Sequence, residues 1–265
     1  VSMMRENPFF VLRACTAAIA LLVGAHASGQ TATSAGGAYE GAGDFTRVTD
    51  EMSWGLLLHT QGAGLTFSRG IYKDGTHVRM WVADLAYLRN PKEEKTSNPV
   101  YDDAAAYVYG KVNAFHTLRL LTGTQRLHSE KIRKDAVRFS TTFLWGLSLG
   151  VEKPVYLEIG YPDIPYTSIL VERYDPDVHF SDDIFGQASW ANGLNELAFI
   201  PGAHAGYSFE FEYGNQREIM RSLNIGVDAD VFLWKPEILA EKFDQNSRLF
   251  LTLHAKLQVG RRWTR

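Results

Sequence analysis

From Met52 onward, apolar and polar positions alternate along this chain with a period of two. The clearest instance is "LFLTLHAKLQVGRRW", 249–263. Every odd position from Leu249 to Val259 is apolar, and the even positions after Phe250 are Thr252, His254, Lys256, Gln258 and Gly260. Successive side chains of a strand point to opposite faces, so this pattern predicts a strand with one greasy face and one polar face. Turn signals divide the rest into seven more predicted strands, over 52–61, 63–73, 76–88, 107–124, 137–160, 204–214 and 218–232. In the 218–232 strand Leu223, Ile225, Val227, Ala229 and Val231 oppose Ser222, Asn224, Gly226, Asp228 and Asp230. In the 204–214 strand Tyr207, Phe209, Phe211 and Tyr213 oppose Ser208, Glu210, Glu212 and Gly214. The 76–88 strand carries Asp84 among apolar neighbours and has no clear orientation. Pro154 is expected to bend or fray the 137–160 strand.

The connections alternate in length. "QGA", "KDG" and "GNQ" are short, whereas 89–106, 161–203 and 233–247 are long. In an up-and-down barrel all three long segments fall at one end, the asymmetry of outer-membrane barrels. A soluble lipocalin-like barrel would show water-facing positions rich in Lys, Glu and Thr. Here the polar face is mostly Gly, Ser, Thr and Asn, and the apolar face carries large Leu, Phe and Trp. The expected fold is therefore all-β: a closed antiparallel up-and-down transmembrane barrel of about eight strands with long extracellular loops. Trp54, Tyr107, Tyr109, Tyr161, Trp234 and Trp263 fall near predicted strand ends, as in an interfacial aromatic girdle.

The first residues differ in kind. Arg5 and Arg13, the run "CTAAIALLVGA" and the small-residue sequence "AHASGQ" read as a signal peptide over 1–27, cleaved near Ala27–Ser28. Residues 28–50 read as a flexible Gly/Ser-rich leader and 51–265 as the barrel. Cys15, the only cysteine, precedes the apolar run rather than following it, which argues against a lipoprotein anchor. A net charge of -3 gives no electrostatic case for nucleic acid as a partner.

The stretches "KEEK", "GLSLGVEKPVYLEIGY", "ERYDPDVHF", "FIPGAHAGYSFEFEYG" and the closing "LHAKLQVGRRW" resemble outer-membrane β-barrel proteins of Bacteroidota-like bacteria. That resemblance implies a small barrel in the outer membrane; no cofactor is expected.

Candidate chemistry lies mainly in the predicted lumen. Lys111, Arg119, Arg138, His254 and Lys256 are expected to meet Glu210, Glu212, Asp228 and Asp230 in a paired polar core rather than an open pore. His59 and His254 fall on strands that closure would make neighbours, but no motif supplies a nucleophile beside them. A lipid-modifying acyl hydrolase or transferase is thus an alternative, and a soluble periplasmic lipid-binding barrel is another. In the long loop, "YDPDVHFSDD" holds Asp175, Asp177, His179, Asp182 and Asp183 without the Gly and closing Glu of a calcium loop, so solvated acids with no metal are expected. Ile184, Phe185, Ala188, Trp190 or Ala191, Leu194 and Leu197 have helical spacing and suggest a short helix across the barrel mouth or a docking surface. Arg126, His128, Lys131, Arg133 and Lys134 form a basic inner connection, expected as a solvated turn, with contact to lipid phosphates or a periplasmic partner as the alternative. The expected role is structural or interactive. Outer-membrane lipid and envelope proteins reached through 161–203 are the expected partners, within an assembly or secretion machine.

Overall fold

The computed structural model describes residues 49–98, 101, 104–129, 137–161, 166–213, 218–243 and 246–264. The expected signal peptide and leader, and Lys131, Arg133 and Lys134, lie outside them. Thirteen strands occur among the described residues: β1 (Asp50–His59), β2 (Gly62–Tyr72), β3 (His77–Leu88), β4 (Lys95–Thr96), β5 (Tyr107–Val108), β6 (Asn113–Ser129), β7 (Arg138–Pro154), β8 (Tyr156–Tyr161), β9 (Ser168–Arg173), β10 (Ile184–Gln187), β11 (Ala198–Tyr213), β12 (Ile219–Phe232) and β13 (Leu249–Trp263). Eight of them close into an antiparallel barrel in the order β1-β13-β12-β11-β7-β6-β3-β2. Each neighbours its predecessor along the chain, so the topology is up-and-down, and closure leaves no free edge.

The register sets the stagger. Starting at His59, one row of paired residues runs through His254, Gly226, Ser208, Thr142, Gln125, Val78 and Tyr72. It closes where the Tyr72 amide donates to the Thr49 carbonyl. The row returns to β1 ten residues from its start, at 49 instead of 59, so the strands tilt by a shear of ten residues over eight strands.

Several boundaries differ from the sequence expectation. The strand expected at 107–124 begins at Asn113 and continues to Ser129, so Arg126 and His128 belong to a strand and not to a basic connection. Tyr107 and Val108 pair with Lys95 and Thr96 instead. Gly110, at φ +82°, turns the chain between them, and a Cβ there would strike the Phe243 ring. The chain leaves the barrel at Pro154, and β8 pairs with β9 and β10 in a separate three-stranded sheet. β11 starts six residues earlier than expected and includes Pro201. The Pro201 carbonyl accepts from the Leu233 amide, beyond the end of β12, so the missing proline N–H faces no ladder partner. The expected helix over 184–197 is β10 followed by turns. A four-residue strand on the edge of β8 takes the place of its first turn.

The barrel is inside out by the standard of a water-soluble protein. Its outward faces carry Leu147 at 72% exposure, Leu251 at 65% and Leu253 at 61%. Its inward faces carry Arg119, Asp84 and Asp230 at 0%. The lumen is not uniformly polar, however. Val78, Met80, Val82, Leu121 and Leu144 line the β3–β6–β7 wall. Leu88, Phe115, Ile200, Phe232, Ile238 and Phe250 form an apolar plug at the end where the long loops emerge.

Candidate functional site

Most of the lumen charges sit on β11, β12, β13 and β1, opposite the aliphatic wall. Near the turn end, Arg262 donates through Nε to Glu51 (2.9 Å) and through both terminal nitrogens to Glu212 (2.8 and 2.5 Å). The Tyr72 hydroxyl donates to Glu51 at 2.7 Å and accepts from Arg138 at 3.0 Å, while Arg138 lies 3.6 Å from Glu212. Glu210 is buried one inward position above Glu212. Higher up, Lys256 donates to Asp84 at 2.8 Å, and both are buried. Leaving such a charge unpaired in a buried site is costly, and Arg262, Glu51, Glu212, Arg138, Lys256 and Asp84 all occur in ion-paired groups.

The densest group lies under the plug. Arg119 grips Asp230 with Nε at 3.2 Å and a terminal nitrogen at 2.7 Å, and its other nitrogen lies 3.8 Å from Asp228. His204 bridges the two carboxylates, with Nδ1 2.9 Å from Asp230 and Nε2 3.5 Å from Asp228. His254 lies with Nδ1 2.8 Å from Asp228 and Nε2 3.0 Å from the Asn224 side-chain oxygen. Strand periodicity makes this cluster: Asp228 and Asp230 are alternate residues of β12, and Asp228 pairs in register with Gly206 and Thr252. A Cβ on Gly206 would come within 2.4 Å of the Asp228 carboxylate, so the glycine leaves room for the imidazole–carboxylate contacts.

Of the residues expected in the lumen, Arg119, Arg138, Glu210, Glu212, Asp228, Asp230, His254 and Lys256 face it. Lys111 does not. It lies between β5 and β6 at the loop end, where its ammonium donates to Tyr87 (2.5 Å) and Glu93 (2.6 Å) and pins the segment after β3. Asp84, His204, Glu51 and Arg262 were missed. Their parity was readable for His204 and Arg262, but β3 is apolar on both faces and gave Asp84 no orientation.

His59 and His254 are register partners, as neighbouring strands require. His59 accepts from the Gln61 amide at 3.3 Å. Among the described residues no hydroxyl or thiol hydrogen-bonds to His59, His204 or His254, so the cluster has imidazole–carboxylate pairs without a nucleophile.

Beyond the loop end, β8, β9 and β10 enclose a small core of Tyr107, Leu157, Ile159, Tyr174 and Ile184, with Tyr109 and Tyr161 packed against it. This corrects the girdle: Tyr107 is buried in that core, and Tyr109 and Tyr161 flank it instead of facing outward from the barrel. Trp54, Trp234 and Trp263 are exposed. Burial pushes the Tyr174 phenol up to about 12. Lys153 ties the 188–197 turns to the barrel by donating to the Asn192 carbonyl (2.8 Å) with its ammonium 5.7 Å from the Trp190 ring centre. In the acidic segment, Asp175 accepts from the Asp177 amide (2.9 Å), and His179 accepts from the Asp175 amide (3.1 Å) and lies 3.3 Å from Glu172. Asp182 and Asp183 lie in the following turn, where Asp183 accepts from the Phe180 amide at 3.1 Å. Among the described residues no group of three or more His, Cys, Asp or Glu side chains could hold a metal ion.

On β9 the side chains of Ile169, Leu170 and Val171 are 45–51% exposed, and β9 is an edge of its sheet. A pocket of about 320 Å3 opens at the same end, lined by Gln61, Asn90, Lys92, Ile238, Asn246 and Phe250.

No family model matches the chain, and no curated protein matches it. Among solved structures it is similar to Ail, the attachment invasion locus protein of Yersinia pestis, in complex with the heparin analogue sucrose octasulfate. The identity is 8% and the TM-score 0.39, over 81% of this chain and 97% of that one.

Proposed function

We propose that this chain is an integral outer-membrane β-barrel without catalytic activity, whose work is structural or interactive and whose contacts with envelope partners are made by the sheet beyond the loop end. The observation that carries the reading is the inverted amphipathicity of a closed barrel. Large apolar side chains cover the outside, while the inside holds buried ion-pair groups beside an aliphatic wall and an apolar plug. In water such an exterior would be a continuous apolar patch far larger than soluble monomers tolerate. In a bilayer it matches the solvent, and closure satisfies every ladder group. The barrel strands, 10 to 17 residues long, meet the 9–11 residues a tilted strand needs to cross the hydrocarbon. The apolar plug and the buried lumen side chains fill the interior of this eight-stranded barrel, which supports a non-porin role.

The partner-binding part of the reading rests on β9, whose apolar edge is a template for an added strand. Refolding the chain into detergent micelles and comparing gel mobility boiled and unboiled tests the membrane assignment. The expected result is heat-modifiable migration with a β-type circular dichroism spectrum. A chain that stays monomeric and folded without detergent overturns it. Cross-linking from position 170 in whole cells tests the interactive role, with defined adducts expected in the wild-type context and lost when Val171→Lys is added; an absence of adducts in the wild-type context overturns it.

A further inference from the structure

At the turn end, the outward faces of five barrel strands each present one arginine: Arg221 on β12, Arg261 on β13, Arg69 on β2, Arg79 on β3 and Arg126 on β6. All five are exposed. Between them, β1 contributes Met52, which pairs in register with both Arg261 and Arg69. Above this level the outward positions of the same strands carry no charged side chain up to the loop end apart from the imidazole of His116. The two remaining strands, β7 and β11, carry Phe139, Phe211 and Tyr213 near the same end.

The register shows that the arginines lie at one height. Arg221 pairs with Val259, two residues above Arg261. Arg261, Met52 and Arg69 share one row. Arg79 lies two residues below the row of Arg69, since Arg69 pairs with Trp81. Arg126 lies two below Arg79, since Arg79 pairs with Thr124. The total drift is six residues over five strand steps. A level ring in this barrel needs ten residues over eight strands, which is about six over five. The arginines therefore lie in a plane perpendicular to the barrel axis, as a membrane interface does.

Among the described residues little neutralises them. Asp50 lies 3.5 Å from Arg69, and Arg79 stacks over Trp81 at 5.2 Å. Arg126, Arg221 and Arg261 have no ion pair among the described residues. Among the described residues, the acids in the turns at this end are Asp74, held by the amides of its own turn, and Glu218, just before β12. Guanidinium groups at a fixed depth, beside indole rings, suit bidentate contact with phosphodiesters.

We propose that this belt binds the phosphates of anionic glycerophospholipids in the inner leaflet, with each arginine bridging to a headgroup and the barrel carrying an annulus enriched in them. The proposal rests on the membrane reading above. The test is quenching of tryptophan fluorescence in vesicles containing dibrominated phosphatidylglycerol or dibrominated phosphatidylcholine at equal mole fraction. Wild-type protein is expected to bind the anionic lipid more tightly, by up to about fivefold for each engaged arginine. The preference is expected to vanish in the Gln variant, in which Arg69, Arg79, Arg126, Arg221 and Arg261 are all replaced by Gln, and to persist when all five are replaced by Lys, with heat-modifiable migration retained in both. Equal quenching by the two lipids in wild type, or a preference surviving in the Gln variant, overturns the belt and leaves the membrane barrel standing. Quenching by neither lipid overturns both.

Discussion

The barrel and the β8–β9–β10 sheet are built from the same strand chemistry and solve opposite problems. The barrel joins its first strand to its last, so its sheet has no edge, and most of the charges inside lie in ion pairs. The smaller sheet has only β8 paired on both sides, and its β9 edge carries Ile169, Leu170 and Val171 into solvent. One region consumes its hydrogen-bonding capacity and the other keeps some available. Damage inside the barrel should therefore cost stability, and changes on the β9 edge should cost contacts only.

The largest effect is expected from Arg119→Leu. It leaves Asp228 and Asp230 without their guanidinium, at a cost of about 3–5 kcal/mol, read as a shift in the urea midpoint of the unboiled band. A midpoint within experimental scatter of wild type would show that His204 and His254 suffice. Next comes Leu253→Arg on the outside of β13, placed between Arg261 and the loop end. A charge there should cost about 2–4 kcal/mol in a bilayer, and no cost would mean that this face does not meet lipid. Gly226→Val should cost about 1–3 kcal/mol by overpacking, because a Cβ there would lie 2.4 Å from the Tyr207 carbonyl. Val171→Lys on β9 should change barrel stability by less than about 0.5 kcal/mol while abolishing adducts cross-linked from position 170.

The smallest effect concerns the turn between β2 and β3. Asp74 accepts from the amides of Thr76 (2.8 Å) and His77 (2.7 Å), which hold its carboxyl below the usual carboxylate range. A depressed acid favours the folded turn above its unfolded value, about 3.9, and loses that contribution as the pH falls further. The acid limb of the unfolding midpoint should therefore flatten slightly in Asp74→Ala. An unchanged limb would show that the turn does not couple to barrel stability.

How much was legible follows from what period two can carry. In β11, β12 and β13 it placed Glu210, Glu212, Asp228, Asp230, His254 and Lys256 on one face and the large apolar residues on the other. In β3 it failed, because Val78, Met80 and Val82 face an aliphatic lumen wall while Trp81 and Leu85 face outward. A strand apolar on both sides has no readable parity, and Asp84 was lost with it. Beyond the strands the pattern misled. Tyr107 and Tyr109 have interfacial composition, yet they serve the core of a loop sheet. Residues 184–197 have helical spacing but lie where β8 offers an edge.

By itself the sequence determined the alternation, the turns, the common end of the long connections and so the class of barrel. These follow from local geometry, since a strand exposes its two faces whatever it pairs with. Tertiary structure alone decided the partners. Closure of β1 on β13 sets His59 beside His254, the shear of ten brings five arginines on separate strands to one level, and docking of β10 on β8 buries Tyr107. Each of these joins residues far apart in the chain, and only the register of the closed sheet specifies the distance between them.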